Sequence, residues 1–187
     1  MNKRRKLVFL IIFIFIVLTG LFIVRDKKKI FLGLYTSGIR SENTIQDKQV
    51  YVDLNGRFSI EIPSDFTSNT FEQLDTASNL QYEVTVFVGE KKEENFQLAI
   101  SEYNDSDSIS IAAIKRDNPD ILMDDSHDIE IAGSRGVTFL DMESKNNPQR
   151  NVWFINNGHL YQITTYRSFD TKMSDILSSW KWGSVTE

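Results

Sequence analysis

Residues 152–166 read VWFINNGHLYQITTY, two apolar runs separated by an Asn-Asn-Gly segment. Asn and Gly tolerate the positive φ angles of a tight turn, so this pattern predicts a β-hairpin with strands over residues 152–155 and 160–166. The first strand is apolar on both faces, with Val152 and Phe154 on one and Trp153 and Ile155 on the other. A strand of this kind must be covered on both sides, which predicts that the hairpin lies at the centre of a sheet.

Alternating apolar residues predict further strands, because the side chains of a strand point to opposite faces in turn. The apolar positions of these strands are Val50, Val52 and Leu54; Phe58, Ile60 and Ile62; Tyr82, Val84, Val86 and Val88; Phe96, Leu98 and Ile100; Ile129 and Ile131; and Val137 and Phe139. Asn55-Gly56 predicts a type I′ turn between the first two strands. Gly133-Ser134-Arg135-Gly136 predicts a turn between the last two.

Two helices are predicted between and after these strands. Residues 108–116 follow the polar sequence Asp105-Ser106-Asp107, which can cap a helix, and they end before Asn118-Pro119, where helices commonly stop. Residues 171–180 form the second helix, with Asp170 or Thr171 as its N-cap. A single apolar stripe of this helix is formed by Met173, Ile176, Leu177 and Trp180.

The order of strands, helix, strands and helix predicts an α+β domain over residues 49–187, with an antiparallel sheet flanked by helices. Trp182 falls beyond the end of the second helix. It either packs back onto the sheet, which we favour, or is exposed and contacts a partner.

The N-terminal 29 residues have the pattern of a membrane anchor. Four basic residues within positions 1–6 precede the apolar run Leu7–Val24, in which only Thr19 and Gly20 are not strongly apolar. A helix over residues 7–24 is about 27 Å long, close to the thickness of a bilayer core. A cleaved signal peptide is the alternative, but the run is longer than usual and no A-x-A-like site follows it. An uncleaved signal-anchor is therefore predicted, followed by a juxtamembrane linker over residues 30–48.

Membrane orientation is only weakly indicated by charge. Residues 1–6 contain four Lys/Arg, and residues 25–29 contain four more. The short basic N-terminal tail favours the N-terminus in the cytoplasm and residues 49–187 on the extracytoplasmic side of the cell membrane. A domain that faces the cytoplasm is the open alternative.

Charge and composition exclude several classes of protein. Residues 1–29 contain eight Lys/Arg and one Asp, whereas the rest of the chain contains 13 Lys/Arg and 25 Asp/Glu. An acidic domain lacks the basic surface that nucleic-acid binding requires. The chain has no Cys, which excludes disulfides, thiolate nucleophiles and thiolate metal ligands.

No catalytic, cofactor or metal-binding motif is predicted. His127 and His159 are the only histidines, and we expect each in a solvated turn or loop. The acidic segment 104–130 contains two groups that resemble hard-cation ligands, Asn104–Ser108 and Asp117–Asp120, but it lacks the Gly and the downstream Glu of an EF-hand loop. We interpret the two groups as a helix cap and a turn, with calcium binding left open. Residues 133–136 also do not match the G-x-S-x-G nucleophile elbow.

Residues 58–182 resemble the PsbP/DcrB-like family of small extracytoplasmic domains. The resemblance is carried by residues 58–66 (FSIEIPSDF), 128–133 (DIEIAG), 153–163 (WFINNGHLYQI) and 176–182 (ILSSWKW). It implies an antiparallel sheet flanked by helices, and proteins that bind or stabilise partners rather than catalyse. It implies no set of catalytic residues.

These observations together predict a non-catalytic binding or accessory module that is anchored in the membrane through residues 7–24. Its expected partner is another envelope protein, and we expect no nucleic acid, cofactor or small-molecule ligand. The alternatives are a membrane-tethered hydrolase or metal-dependent enzyme with an unrecognised site, and a cytoplasm-facing scaffold.

Overall fold

The computed structural model describes residues 47–75, 80–91, 93–103, 109–119, 121–143 and 147–183. The predicted anchor over residues 7–24, the basic segments within residues 1–29 and nearly all of the linker lie outside the described residues. Within the described ranges, no helix is both long and apolar enough to cross a membrane.

A seven-stranded antiparallel sheet forms the centre of the domain, in the order β3-β4-β5-β9-β8-β7-β6. Its strands are β3 (Thr67–Asp75), β4 (Leu80–Val88), β5 (Asn95–Glu102), β6 (Met123–Ile131), β7 (Ser134–Asp141), β8 (Gln149–Asn156) and β9 (His159–Tyr166). The predicted hairpin is confirmed as β8 and β9, which lie inside the sheet. Val152, Trp153 and Phe154 are all buried, as expected for a strand covered on both faces.

A smaller sheet and two helices complete the described part of the fold. The small sheet has the order β1-β2-β10, with β1 (Lys48–Val52), β2 (Phe58–Pro63) and β10 (Lys181–Trp182). The helices are α1 (Ile111–Asp117) and α2 (Asp170–Ser178), and a 3-10 turn over Arg167–Phe169 leads into α2. The α+β class and the antiparallel sheet are therefore as predicted from the sequence.

The main core lies on the face of the large sheet that carries Val152 and Phe154, called here the first face. The small sheet and α2 cover this face, and the buried side chains include Phe58, Ile60, Ile62, Phe87, Phe96, Leu98, Ile100, Tyr161, Ile163, Met173, Ile176 and Trp180. Helix α1 packs on the opposite face, called the second face, where Ile114 contacts a cluster that contains Val137, Phe139 and Trp153.

The prediction for β1 was wrong about which side chains face the core. Val50 and Val52 are 66% and 58% exposed, whereas Tyr51 packs against the main core. The reason is register, since Tyr51 lies opposite Ile60 of β2 and must share its face. The predicted type I′ turn at Asn55-Gly56 is also wrong, because only Gly56 has a positive φ there.

The helix boundaries and caps also differ from the predictions. Helix α1 begins at Ile111, and the Ser110 side chain caps it by accepting from the Ala113 N–H at 3.1 Å. Residues 105–107, the predicted cap, lie outside the described residues. Phe169 holds the N-cap position of α2 without a side-chain hydrogen bond, so neither Asp170 nor Thr171 is the cap.

Two strands were missed, and the position of Trp182 was predicted correctly. Strand β3 is an edge strand with few apolar residues, and β10 has only two residues, so neither gives a period-2 signal. Trp182 packs back onto the domain, with its ring 5.3 Å from that of Tyr161 and its Nε1–H donating to the Ala132 carbonyl at 3.0 Å.

Candidate functional site

A cleft of about 540 Å³ lies between the first face of β6–β8 and helix α2. Its apolar walls are Ile129 and Ile131 of β6 and Met173 and Leu177 of α2, and the buried ring of Trp180 also lines it. This volume lies in the range of sites that enclose a small molecule or a few side chains of a partner.

Local sequence patterns place these walls. Alternation along β6 puts Ile129 and Ile131 on one face of the strand. The apolar stripe predicted for the second helix is confirmed, with Met173 and Ile176 buried under α2 and Leu177 left half-buried beside the cleft. Trp180 follows the end of α2 and is 5% exposed, and its indole Nε1–H has no acceptor among the described residues.

The charged wall of the cleft is organised by Arg150. Its guanidinium donates to Asp170 of α2 at 3.0 and 3.2 Å, and to the Asp125 carboxylate at 2.5 Å. It also donates to the Asp125 carbonyl at 3.3 Å. Burial opposes the charge of Arg150, but the hydrogen bonds from Arg150 to Asp170 and Asp125 raise its pKa above the ordinary value. The hydrogen bond from Arg150 lowers the pKa of Asp125. Arg167 is a further cation that acts on Asp125, so the two carboxylates of this wall are balanced by neighbouring cations.

The bend that brings Asp125 to Arg150 is a local irregularity of β6. Pairing with β7 shifts register between Asp124 and His127, and Asp125 has a φ of +45°. Asp is one of the residues that tolerate this left-handed conformation. The two partners of Arg150 therefore come from a bulge and from the start of a helix, and no short sequence motif connects them.

The two histidines are not brought together. His127 lies within β6, not in a loop as predicted, and its Nδ1 is 4.0 Å from the Asp125 carboxylate. His159 begins β9, where its Nδ1 lies 2.9 Å from the Asn157 carbonyl oxygen. Strands β7 and β8 separate β6 from β9. In the part of the chain that the structure describes, no three His, Asp or Glu residues are grouped to hold a metal ion.

The other predicted candidates fall into regular structure or outside the described residues. Segment 104–130 is not one loop, because it includes α1 and most of β6, while Asn104–Ser108 and Asp120 lie outside the described residues. The turn before β7 consists of Ala132 and Gly133, with φ angles of +47° and +84°, so residues 134–136 belong to the strand and not to the turn.

A second charged cluster ties the small sheet to β4, away from the cleft. The Asp53 carboxylate accepts from Arg57 Nε and from Arg57 Nη2, both at 2.8 Å, and Arg57 also donates to Glu83. Burial would raise the pKa of Asp53, but the hydrogen bonds from Arg57 outweigh it and lower that pKa. Burial raises the pKa of Glu83 despite the nearby Arg57. We interpret this cluster as structural, because it joins the β1–β2 turn to Glu83 of β4.

Sequence reasoning missed the cleft and its central residue, Arg150. The available signal was a charged residue two positions before the apolar run that begins at Val152. Only the folded sheet shows that Arg150 shares the first face with Val152 and meets Asp170 there.

No family model and no curated protein matches this chain. The structure is similar to the solution structure of cyanobacterial PsbP (CyanoP) from Synechocystis sp. PCC 6803, with 13% identity over 78% of this chain and 98% of that chain, and a TM-score of 0.49. It is also similar to a crystal structure from Bacteroides thetaiotaomicron VPI-5482, with 14% identity and a TM-score of 0.49. That match covers 76% of this chain and 51% of the other, so this chain spans about half of its length.

Proposed function

We propose that this chain is a single-pass membrane protein whose acidic domain lies on the extracytoplasmic side and binds another envelope protein without catalysing a reaction. The observation that carries the proposal is the cleft between β6–β8 and α2. It combines apolar walls with charged groups that already hold one another, which is the composition of a recognition surface.

The contacts among the charged groups of the cleft support binding rather than catalysis. General acid–base or nucleophilic catalysis needs a base within hydrogen-bond reach of a nucleophile. Here the strongest contacts join Arg150 to Asp125 and Asp170, so both carboxylates are engaged with a cation. His127 stands 4.0 Å from Asp125, beyond hydrogen-bond distance.

Membrane anchoring is supported by the sequence of residues 1–29. The apolar run 7–24 matches the length of a bilayer core, and the charges at its two ends suit the two interfaces. The linker, predicted over residues 30–48, leads from the anchor into β1, whose first residue is Lys48. The excess of acidic residues after position 29 would keep the domain away from anionic lipid headgroups.

Protease treatment of intact cells or sealed spheroplasts tests the location of the domain. The full chain carries a C-terminal tag, and a cytoplasmic protein serves as the control for lysis. We expect the tag to be lost while an N-terminal fragment stays in the membrane fraction. Protection of the tag until the cells are lysed would place the domain in the cytoplasm and overturn the proposed location.

Site-specific photo-crosslinking tests binding at the cleft. A crosslinking amino acid replaces Ser174, which lines the cleft, or Ser68, an exposed residue of β3 at the opposite edge of the sheet. We expect an envelope protein to be crosslinked in intact cells from position 174 and not from position 68. Equal products from both positions, or none from position 174, would contradict binding through the cleft.

A membrane-tethered hydrolase is the second candidate, because His127, Asp170 and Ser174 line the same cleft. A fluorophosphonate probe, which labels activated serines, tests it on the full-length protein. Labelling of Ser174 that is lost in His127→Ala would favour the hydrolase over the binding module. Absence of labelling would leave this candidate without an activated serine.

A further inference from the structure

We propose that strand β6 and the cleft beside it form one docking surface, which binds an extended segment of the partner as an additional β-strand. The segment alternates basic and apolar residues. This inference deepens the proposed function and rests on it, since it assigns the chemistry of the partner that the cleft receives.

The backbone of β6 has the geometry that strand addition requires. Strand β6 is the last strand of the large sheet, and no strand among the described residues pairs with its outer edge. Ala132 and Gly133 form a two-residue turn in which Ile131 lies opposite Ser134. In such a hairpin the residues that flank the turn hydrogen-bond to each other, and bonded and non-bonded pairs then alternate. The N–H and C=O groups of Asp128 and Glu130 therefore point away from β7, toward the open edge.

The cleft opens onto this same edge. Four consecutive residues, Ile129 to Ala132, line it, although their side chains alternate between the two faces of the strand. The cleft therefore extends from the first face around to the backbone of β6. A strand added along β6 would place every second side chain on the first face, beside Ile129 and opposite Leu177. Apolar side chains at those positions would bury surface that the cleft now leaves open to water.

The remaining side chains of the added strand would lie on the second face, where β6 is acidic. Asp128 and Glu130 are both exposed there. Arg135 of β7 lies opposite Glu130 and offsets part of its charge, whereas Asp128 lies opposite Val137 and has no basic residue across from it. Opposite charges on neighbouring strands attract, so Lys or Arg is favoured at the positions next to Asp128 and Glu130.

Charge also disfavours a second copy of this chain on the same edge. Pairing of β6 with β6 would bring Asp128 and Glu130 of both copies together, and like charges on adjacent strands are destabilising. Acidic side chains on an edge strand thus disfavour self-association, as is usual for exposed edges. The acidic side chains of β6 therefore favour a basic segment of a partner over a second copy of this chain.

On the first face, the occupant would also meet polar groups. Arg150 is already held by Asp125 and Asp170, so the occupant meets charged groups that are already paired.

Synthetic peptides test the proposal on the full-length protein in non-ionic detergent micelles, with empty micelles as the blank. One capped, fluorescently labelled peptide alternates Lys with Ile or Val over seven residues, and a second has the same composition with the lysines in one block. We expect the alternating peptide to bind at least about tenfold more tightly, because only its pattern matches both faces of the added strand.

Variants of β6 identify where the peptide binds. We expect Asp128→Lys combined with Glu130→Lys to weaken binding at least about tenfold. The control, Glu72→Lys combined with Glu102→Lys, makes the same change of net charge at exposed positions outside β6 and should leave binding unchanged. Ser174→Trp, which fills the cleft, should also weaken binding. Hydrogen exchange should show that the amides of Asp128 and Glu130 become protected when the peptide binds.

Several outcomes would overturn the inference. These are no binding, equal binding of the two peptides, equal loss in the control variant, unchanged binding by Ser174→Trp, or no added protection at Asp128 and Glu130. If any of these is found while position 174 still crosslinks to an envelope protein, only the strand-addition mode fails. If position 174 crosslinks to nothing, the proposed function itself fails.

Discussion

Replacing Asp53 by Asn should destabilise the domain much more than replacing an exposed acid of the same small sheet. The Asp53 side chain is 1% exposed and accepts four hydrogen bonds. Two come from the backbone N–H groups of Asn55 and Arg57, at 3.2 and 3.1 Å, and two come from the Arg57 guanidinium, both at 2.8 Å. These bonds fix the β1–β2 turn and hold Arg57 against Glu83 of β4.

The expected loss of unfolding free energy follows from the interactions that Asp53→Asn removes. An amide has nearly the same size as a carboxylate, but it carries no charge and directs an NH₂ group at a hydrogen-bond donor. Removing one partner of a buried ion pair costs about 3–5 kcal/mol. Arg57 keeps Glu83 and is 19% exposed, so the lower end of that range applies, about 3 kcal/mol. For a domain of this size, that corresponds to a fall in Tm of roughly 10 °C.

Urea unfolding of the full-length protein in non-ionic detergent, followed by tryptophan fluorescence, measures this loss. The matched control is Glu61→Gln, which removes an exposed ion pair with Lys48 and should cost at most about 1 kcal/mol. In the combined variant Asp53→Asn with Glu83→Gln, Arg57 has neither carboxylate, so the loss should exceed the sum of the two single losses. If Asp53→Asn costs no more than Glu61→Gln, the cluster does not hold the small sheet to β4.

Three further predictions concern packing and pH. In Gly136→Ala the new Cβ would lie 2.5 Å from the Trp153 carbonyl oxygen and 2.7 Å from Phe154 Cβ. We therefore expect about 1–3 kcal/mol of destabilisation in the same urea assay. An unchanged unfolding midpoint would contradict this packing. The hydrogen bond from Lys172, at 2.8 Å, lowers the pKa of Glu94 below its usual 4.5. The ionised Glu94 therefore stabilises the folded domain above pH 4.5, and this stabilisation is lost as the pH falls through the lower pKa of the folded state. Lys172→Met should therefore flatten the fall in unfolding free energy below pH 4.5, and an identical acid profile would refute the contact. Burial raises the pKa of Tyr161 from 10.0 to about 12, so stability should fall as pH rises through that interval, and Tyr161→Phe should reduce this fall in alkaline urea titrations.

The parts of the fold that the sequence predicts are those encoded by neighbouring residues. The β8–β9 hairpin follows from an Asn-Gly turn between apolar runs, and the stripe of α2 follows from the spacing of Met173 and Ile176. The strand with Phe58, Ile60 and Ile62 was also found, because one of its faces is wholly apolar. In each of these elements the local pattern and the tertiary environment agree.

The predictions from the sequence failed where contacts with residues distant in the chain determine the structure. In β1 the apolar alternation indicated Val50 and Val52 as buried, but pairing with β2 turns Tyr51 inward, which no local pattern reveals. The polar strand β3 is held in the sheet mainly by pairing with β4 along its whole length. The cleft arises from β6, β8 and α2 together, so the meeting of Arg150 with Asp170 could not be predicted from their spacing.

The way the small sheet is assembled has a consequence for the order of events during synthesis. Phe58 of β2 stacks on Trp180 at 4.2 Å, and Ser59 of β2 pairs with Lys181 of β10, so an early strand and the last described strand close over the same core. A chain that emerges from its N-terminus presents the apolar face of β2 long before Trp180 exists to cover it. Such long-range contacts slow folding, and until they form the nascent domain exposes a surface prone to misassociation. The completion of this core is thus a late event, which depends on residues near position 180 having already been made.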